Sequence, residues 1–380
     1  MKARILTLAL LACIFSCSNA EADVPAQNDI KVNPQSLECA AEGGTLSLGV
    51  TADAAWQAYA DDDCSEWVLK VDPAYSADPV GTVSVKVDEN IGRNDRSGNI
   101  VIKCGTTRLK VPITQKAPEA SPIKCPLDGY SLVWHDEFEG SDVETKNWKF
   151  ENWTRGWVNN ELQYYVAGGE FDGVQTAFIK DEALQIKAQK YKGSKKFTCN
   201  GKEYDIDGQV ISARMNTKES WLYGYFEAAI WLPKGKGTWP AFWMMPTDQS
   251  DGWPVCGEID IMEEVGVDAN ITSSSIHTGA YNHPHNTQKT QSRTTNGAES
   301  EYHVYALEWT ADYLQFYTDG IKTLKFQNDG KKDKDTWPFN KKFYMTLNLA
   351  WGGDWGGYAG VDESALPCTM KVDWVRVFQK

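Results

Sequence analysis

Four acids fall within the seven residues Glu258-Ile259-Asp260-Ile261-Met262-Glu263-Glu264, and large apolar side chains fill the other three places. Along a β-strand successive side chains point to opposite faces, so Glu258 and Asp260 share one face while Ile259 and Ile261 share the other. Strict alternation continues with Glu264 on the acidic face and Glu263 in the core. A one-residue bulge at Met262 reverses that and brings Glu263 onto the acidic face; bulges of this kind are over-represented next to active sites. Carboxylates crowded on one face raise one another's pKa, so that one stays protonated beside another that is ionised. Glycoside hydrolysis needs that division, an acid for the leaving oxygen and a carboxylate for the anomeric carbon. The same residues also suit a solvated strand face, or oxygen ligands for calcium.

Other residues with chemical potential read more plainly. His283 and His285, in Asn282-His283-Pro284-His285, make half a metal site with no Cys or Asp companion at ligand spacing, and a surface loop is expected. Cys256 has no base near it in sequence and reads as a buried thiol. Trp239 and Trp243 flank Pro240-Ala241-Phe242, so a strand there sets Phe242 on the face opposite Trp243. Trp253, Trp351 and Trp355 follow loops rich in Gly and Asp and are expected near solvent, whereas Trp134, Trp309 and Trp374 sit in alternating strands and are expected in the core.

With its neighbours the acidic stretch resembles a known family. EIDIMEE, preceded by WPVCG, resembles the active-site strand of glycoside hydrolase family 16, in the bulged form typical of laminarinase-like members. Around it in order stand WHDEFEG from Trp134, WVNNELQYY from Trp157, GTWPAFWMMP from Gly237, HTGAY from His277, YHVYALEW from Tyr302, LNLAWGGDW from Leu347 and VDWVRVF from Val372. The resemblance implies a concanavalin-like β-jelly roll with substrate across a concave sheet. It assigns Glu258 as nucleophile, Glu263 as acid/base and Asp260 as the group that orients Glu258, in a retaining cleavage of β-1,3- or mixed β-1,3/1,4-glucan without a catalytic cofactor. Galactan-cleaving members share the bulge and provide the alternative substrate; a glucan-binding protein without turnover is the alternative of another class. The resemblance places Asn159, Asn160, Glu161 and Arg214 at the cleft with a Trp of the GTWPAFWMMP segment, Trp243 first and Trp239 second; Trp253, Trp351 and Trp355 are further candidate sugar contacts by their loop positions. It sets His277 close to the acid, where a hydrogen bond would tune Glu263, and Asp373 at a structural Ca2+ site.

These elements need a carrier. The 380 residues suit two domains. Residues 1–17 read as a lipoprotein signal: Lys2 and Arg4, an apolar run from Ile5 to Phe15, then Ile14-Phe15-Ser16-Cys17, which resembles a lipobox; Leu10-Leu11-Ala12-Cys13 is the weaker fit. Residues 18–29 are a polar tether. Residues 30–117 hold about seven alternating strands with turn signals between them, suited to a small immunoglobulin-like sandwich. Asn94 to Gln115 resembles the BACON domain, and the few large aromatics (Trp56, Tyr59, Trp67, Tyr75) favour a spacer over a sugar-binding module. Residues 118–124 are the linker, and 125–380 are short strands and Gly-rich loops, all-β and long enough for a two-sheet jelly roll.

Composition narrows the partners. The net charge of −14 argues against nucleic acid, since neutralising phosphate needs clustered Lys and Arg. Fourteen of the 16 Trp lie after residue 124, where flat apolar rings can meet sugars. Seven cysteines follow Cys17 in an irregular odd set that gives neither a disulfide framework nor a zinc pattern. The expectation is a monomer that meets β-glucan as substrate and the membrane only through its anchor, as a bacterial outer-membrane lipoprotein at the cell surface or in the periplasm. Replacement of Cys17 by Ala should release soluble, active enzyme or leave the precursor uncleaved, read by membrane fractionation and intact mass. A Cys17→Ala protein that matures normally and stays on membranes, while Cys13→Ala does not, would place the anchor at Cys13.

Overall fold

The computed structural model describes residues 28–90, 95–118 and 123–380; Cys17 and most of the tether lie outside them. The chain divides into two compact units at the Ser121/Pro122 boundary, within the expected linker.

In the first unit nine strands form two sheets. Ile30–Asn33, Gly44–Ala52, Val80–Val87 and Val68–Asp72 make a four-stranded sheet. Leu37–Cys39, Thr107–Gln115, Arg96–Cys104, Trp56–Ala60 and Tyr75–Ser76 make a five-stranded one. Alternation builds the core directly: Val83, Val85 and Val87 are buried while Thr82, Ser84 and Lys86 are exposed between them. The strand count exceeds the expected seven because Leu37–Cys39 and Tyr75–Ser76 are too short to show a period. Trp56 and Trp67 belong to the core and Tyr59 is half-buried, which leaves Tyr75 alone of the four large aromatics mostly in solvent.

The second unit is a β-jelly roll of two large sheets over one apolar core. The seven-stranded sheet runs, in spatial order, Trp148–Phe150, Arg214–Thr217, Phe343–Trp351, Thr238–Pro246, Glu258–Glu263, Ile271–His277 and Lys289–Thr294. The ten-stranded sheet is built around Cys368–Gln379 and Gly224–Trp231. Two successive strands divide between the sheets: Val210–Ser212 lies in the larger and Arg214–Thr217 in the smaller, with buried Ala213 at the crossing. Trp374 departs from its expected core position. The register shifts by one residue between Ala229, which faces Trp374, and Ile230, which faces Val372. That shift turns Trp374 onto the outer face, where the Arg376 guanidinium lies 3.9 Å from the ring centroid.

The start of the second unit is itself a structural element. Ile123, Cys125, Leu127, Tyr130 and Leu132 pack against Tyr225, Ala306, Tyr317 and Phe378 on the outer face of the ten-stranded sheet. The Tyr130 hydroxyl donates to Glu308 Oε1 at 3.1 Å. A chain that begins at residue 133 should therefore be less stable than one that begins at residue 122, by about 3 kcal/mol or more from the apolar area uncovered. Urea unfolding measures the difference, and equal midpoints would make the segment a passive linker.

Candidate active site

The acid strand Glu258–Glu263 is entered through Gly257, whose φ of +89° favours glycine and where a Cβ would meet Pro338 Cγ at 2.7 Å. On one side Trp243 faces Asp260 and Phe242 faces Met262. On the other side Glu258 faces His277, Asp260 faces Ser275 and Glu263 faces Ser273. Between Asp260 and Glu263 the acid strand therefore uses three steps where its neighbour uses two. Ile261 and Met262 together occupy one place, both fully in the core. This is the bulge, and the displaced Ile261 carbonyl accepts a hydrogen bond from Ser274 Oγ at 2.9 Å. Glu263 joins Glu258 and Asp260 on the face turned from the core, and Glu264 turns inward with no exposed surface.

Each outer carboxylate is held from a different direction. Trp253 Nε1 donates to Glu258 Oε2, and Trp239 Nε1 donates to Glu263 Oε1 at 3.0 Å. Glu258 and Asp260 are neighbours on the same strand face, close enough for each carboxyl to act on the other's proton affinity. His277 Nε2 lies 3.3 Å from Asp260 Oδ2. The expected bond from His277 to Glu263 is absent, because register sets His277 opposite Glu258 at the far end of the strand. Burial pushes Glu258 up to about 8, helped by the Asp260 charge and opposed by His277 and the Trp253 N–H. Burial likewise raises Asp260. It raises Glu263 too, with the Asp260 charge adding to the effect and the Trp239 N–H opposing it. All three carboxyls on this face are thus held above their ordinary range, so one acid can keep its proton beside another that is ionised.

Toward Arg214–Thr217 the flank is aromatic and tightly bonded. The Arg214 guanidinium lies 5.1 Å from the Trp157 ring centroid and 4.6 Å from that of Trp243. Trp157 stacks on Trp153 at 3.9 Å with ring planes 2° apart. Trp243 Nε1 donates to Asn348 Oδ1 at 2.7 Å, and Asn348 Nδ2 donates to the Tyr165 hydroxyl at 3.1 Å. Tyr165 and Gln163 in turn donate to buried Glu161, at 3.2 and 2.6 Å. Glu161, expected at the cleft, is thus an anchor beneath it. Asn159 and Asn160 adopt left-handed φ of 49° and 50° and tie their loop to Asp354, through the Asn159 carbonyl and the Asn160 amide.

The tryptophans divide. Trp253 is 40% exposed, and Trp239 and Trp243 are half-buried at the site. Trp355 packs edge-on against Trp239 at 5.6 Å. Trp351 corrects its expectation: it ends the long strand Phe343–Trp351, pairs with Thr238, and is buried in the core. His283 lies in an exposed turn, as expected, and its ring stands 5.0 Å from that of Trp253 and 5.4 Å from that of His277. Trp157, Tyr165 and Asn348 lie within the segments that carry the family resemblance, but nothing in their spacing assigns the contacts they make.

Cys256 is fully buried, and burial raises its pKa, as expected of an inert thiol. Among the described residues no group of three or more His, Cys, Asp or Glu side chains could hold a metal ion.

Inward-facing Glu264 carries a cost that pH reveals. Its Oε1 accepts from the Asn270 N–H at 2.7 Å, while buried Oε2 has no partner. Burial and the Glu299 charge push it from 4.5 up to about 8. Below the lower value both folded and unfolded chains hold the proton. As pH rises toward the upper value the unfolded chain releases it and the folded chain does not, so stability falls through that window. Glu264→Gln should gain on the parent by about 2–4 kcal/mol between about pH 5 and pH 8 in denaturant unfolding. A pH-independent difference would mean that Glu264 is ionised in the folded chain.

Comparison with known proteins fits this geometry. The model for Glycosyl hydrolases family 16 matches residues 173–376, and the BACON model matches residues 55–116. A β-glucanase of Rhodothermus marinus is 38% identical over 260 residues, covering 66% of this chain and 85% of the relative. A glucan endo-1,3-β-glucosidase A1 of Niallia circulans is 31% identical over 309 residues, covering 77% of this chain and 44% of the relative. The crystal structure of SCLam, a non-specific endo-β-1,3(4)-glucanase, superposes with a TM-score of 0.60 at 41% identity, over 68% of this chain and 94% of that one. With more than half its length matched by one family model and its acids gathered on one strand face, the chain belongs to glycoside hydrolase family 16.

Proposed function

We propose that this protein is a retaining endo-β-glucanase that cleaves β-1,3-glucan or mixed β-1,3/1,4-glucan. The observation that carries the reading is the bulge at Ile261–Met262, which sets Glu258, Asp260 and Glu263 on one face and turns Glu264 away. Glu258, oriented by the Trp253 N–H, attacks the anomeric carbon. Asp260, the next acid on the same face, orients Glu258. Glu263 protonates the leaving oxygen, then takes a proton from water as that water releases the glycosyl-enzyme. The Trp239 N–H on Glu263 favours its ionised form and so assists the first transfer. The likeness to a β-glucanase and a glucan endo-1,3-β-glucosidase supports glucan over galactan. Lipid anchoring through Cys17 is part of the same reading and rests on the leader sequence alone.

Variants separate the roles. Loss of general acid/base help should lower kcat on laminarin by roughly 10²–10⁴ in Glu263→Ala. The same variant should still form the glycosyl-enzyme from activated aryl β-glucosides, and azide should restore its turnover and yield a β-glycosyl azide. In Glu258→Ala, azide replaces the missing carboxylate and yields the α-azide. Glu264→Ala should keep its activity wherever it folds. A crippled Glu264→Ala rescued as the β-azide, beside a normal Glu263→Ala, would overturn the assignment. Hydrolysis of agarose rather than laminarin would move the substrate to galactan.

A further inference from the structure

Trp253 stands between two imidazoles. Its ring centroid lies 5.9 Å from that of His277 and 5.0 Å from that of His283, and the two imidazoles are 5.4 Å apart, edge to face. The indole itself is 40% exposed and makes one polar contact, the bond from Nε1 to Glu258 Oε2. An exposed indole on a loop has other rotamers available unless its faces are occupied. His277 is fixed at the end of its strand, whereas His283 belongs to a turn that must be held by other means.

That turn is held firmly. Asn282, immediately before His283, is 1% exposed. Its amide donates to the carbonyls of Thr278 and Gly279 at 3.1 and 3.0 Å. Its side-chain oxygen accepts from the His285 N–H at 3.2 Å, and Thr287 Oγ1 accepts from its own N–H at 3.0 Å. A solvent loop has no need of a buried asparagine making these bonds at its base. Here they hold the turn in the conformation that sets the exposed His283 ring beside Trp253.

We infer that His283 is a positioning residue for the proposed reaction, clamping Trp253 so that its indole N–H stays on the Glu258 carboxylate. The inference rests on the glucanase reading above. The groups around Glu258 are Asp260 and Glu263 on its own strand, His277 on the next strand, and Cys256 in the loop before it. Asp354 is the charged partner that acts on His283 from another loop. Among these, the indole N–H and His277 favour the ionised nucleophile, and Asp260 opposes it. Releasing Trp253 removes one of the two favourable influences. More Glu258 is then protonated at neutral pH, and the acid limb of the rate profile moves to higher pH.

The test uses the full chain with His283→Ala, His283→Phe, Trp253→Phe and the Ala/Phe double variant, on laminarin across pH. His283→Ala should lose about tenfold in kcat with KM little changed, and its acid limb should move up, as expected when an oriented nucleophile is loosened. His283→Phe keeps a flat ring against the indole and should restore both. Trp253→Phe keeps a ring but lacks the N–H, and should reproduce the shifted limb. The double variant should be no worse than Trp253→Phe, because both changes remove one interaction. Normal kcat in His283→Ala would overturn the inference, and so would a rise in KM alone, which would make His283 a sugar contact. His283→Phe as impaired as His283→Ala would overturn the clamp as well, as would additive losses in the double variant. If the unaltered protein releases no reducing ends from laminarin, the glucanase reading fails instead.

Discussion

The parity of one strand governs this site. Glu258 and Glu263 are five residues apart, an odd separation that puts them on opposite faces of any regular strand. Two side chains, Ile261 and Met262, must share one place for the parity to change, and the core must take both. It does, because both have essentially no exposed surface and the carbonyl left out of the ladder finds Ser274 Oγ. The same change of parity drives the next acid inward. Glu264 occupies the interior because Glu263 occupies the cleft, and no polar residue at position 264 could avoid that burial. The unpartnered Oε2 and raised pKa of Glu264 are thus consequences of the geometry that assembles the site.

On the outer face the problem is too much negative charge. Burial disfavours ionisation of all three acids, and their mutual repulsion adds to it. Left alone, such a cluster would hold protons on every member, including the nucleophile. Indole N–H groups at either end of the strand oppose this, Trp253 on Glu258 and Trp239 on Glu263. Each indole is backed by a second ring, His283 behind Trp253 and Trp355 behind Trp239. An indole donor suits such a place because it stabilises a carboxylate without adding a competing cation that a neutral sugar would have to displace.

What was legible in the sequence follows from the range of each interaction. Alternation is local, so the strands of both units and the burial of Phe242 opposite Trp243 could be read directly. Parity at Glu263 could be posed as two alternatives, since a bulge leaves no mark on the period until the partner register is known. Trp351 and Trp374 were misplaced for related reasons. A strand that runs right up to Gly352 buries the first, and a one-residue register shift against a distant strand turns the second outward. His283 was invisible because its partner Trp253 is 30 residues away, and only the folded turn brings the rings together.

The sheet also carries a difference between its two flanks that bears on how a glucanase of this kind would use binding energy. Toward Arg214 the face presents Trp243 and Trp157 with a guanidinium between them, braced by the chain of bonds from Asn348 to Glu161. Beyond the acid strand the same face presents His277 and then short hydroxyls, Ser273 paired with Ser292 at 2.8 Å and Ser275 with Thr290 at 2.9 Å. Flat rings hold a sugar by burying apolar area, while hydroxyls already bonded to each other exchange sugar for water at little net gain. The chemistry that suits a sugar ring is therefore gathered on the flank of Trp243.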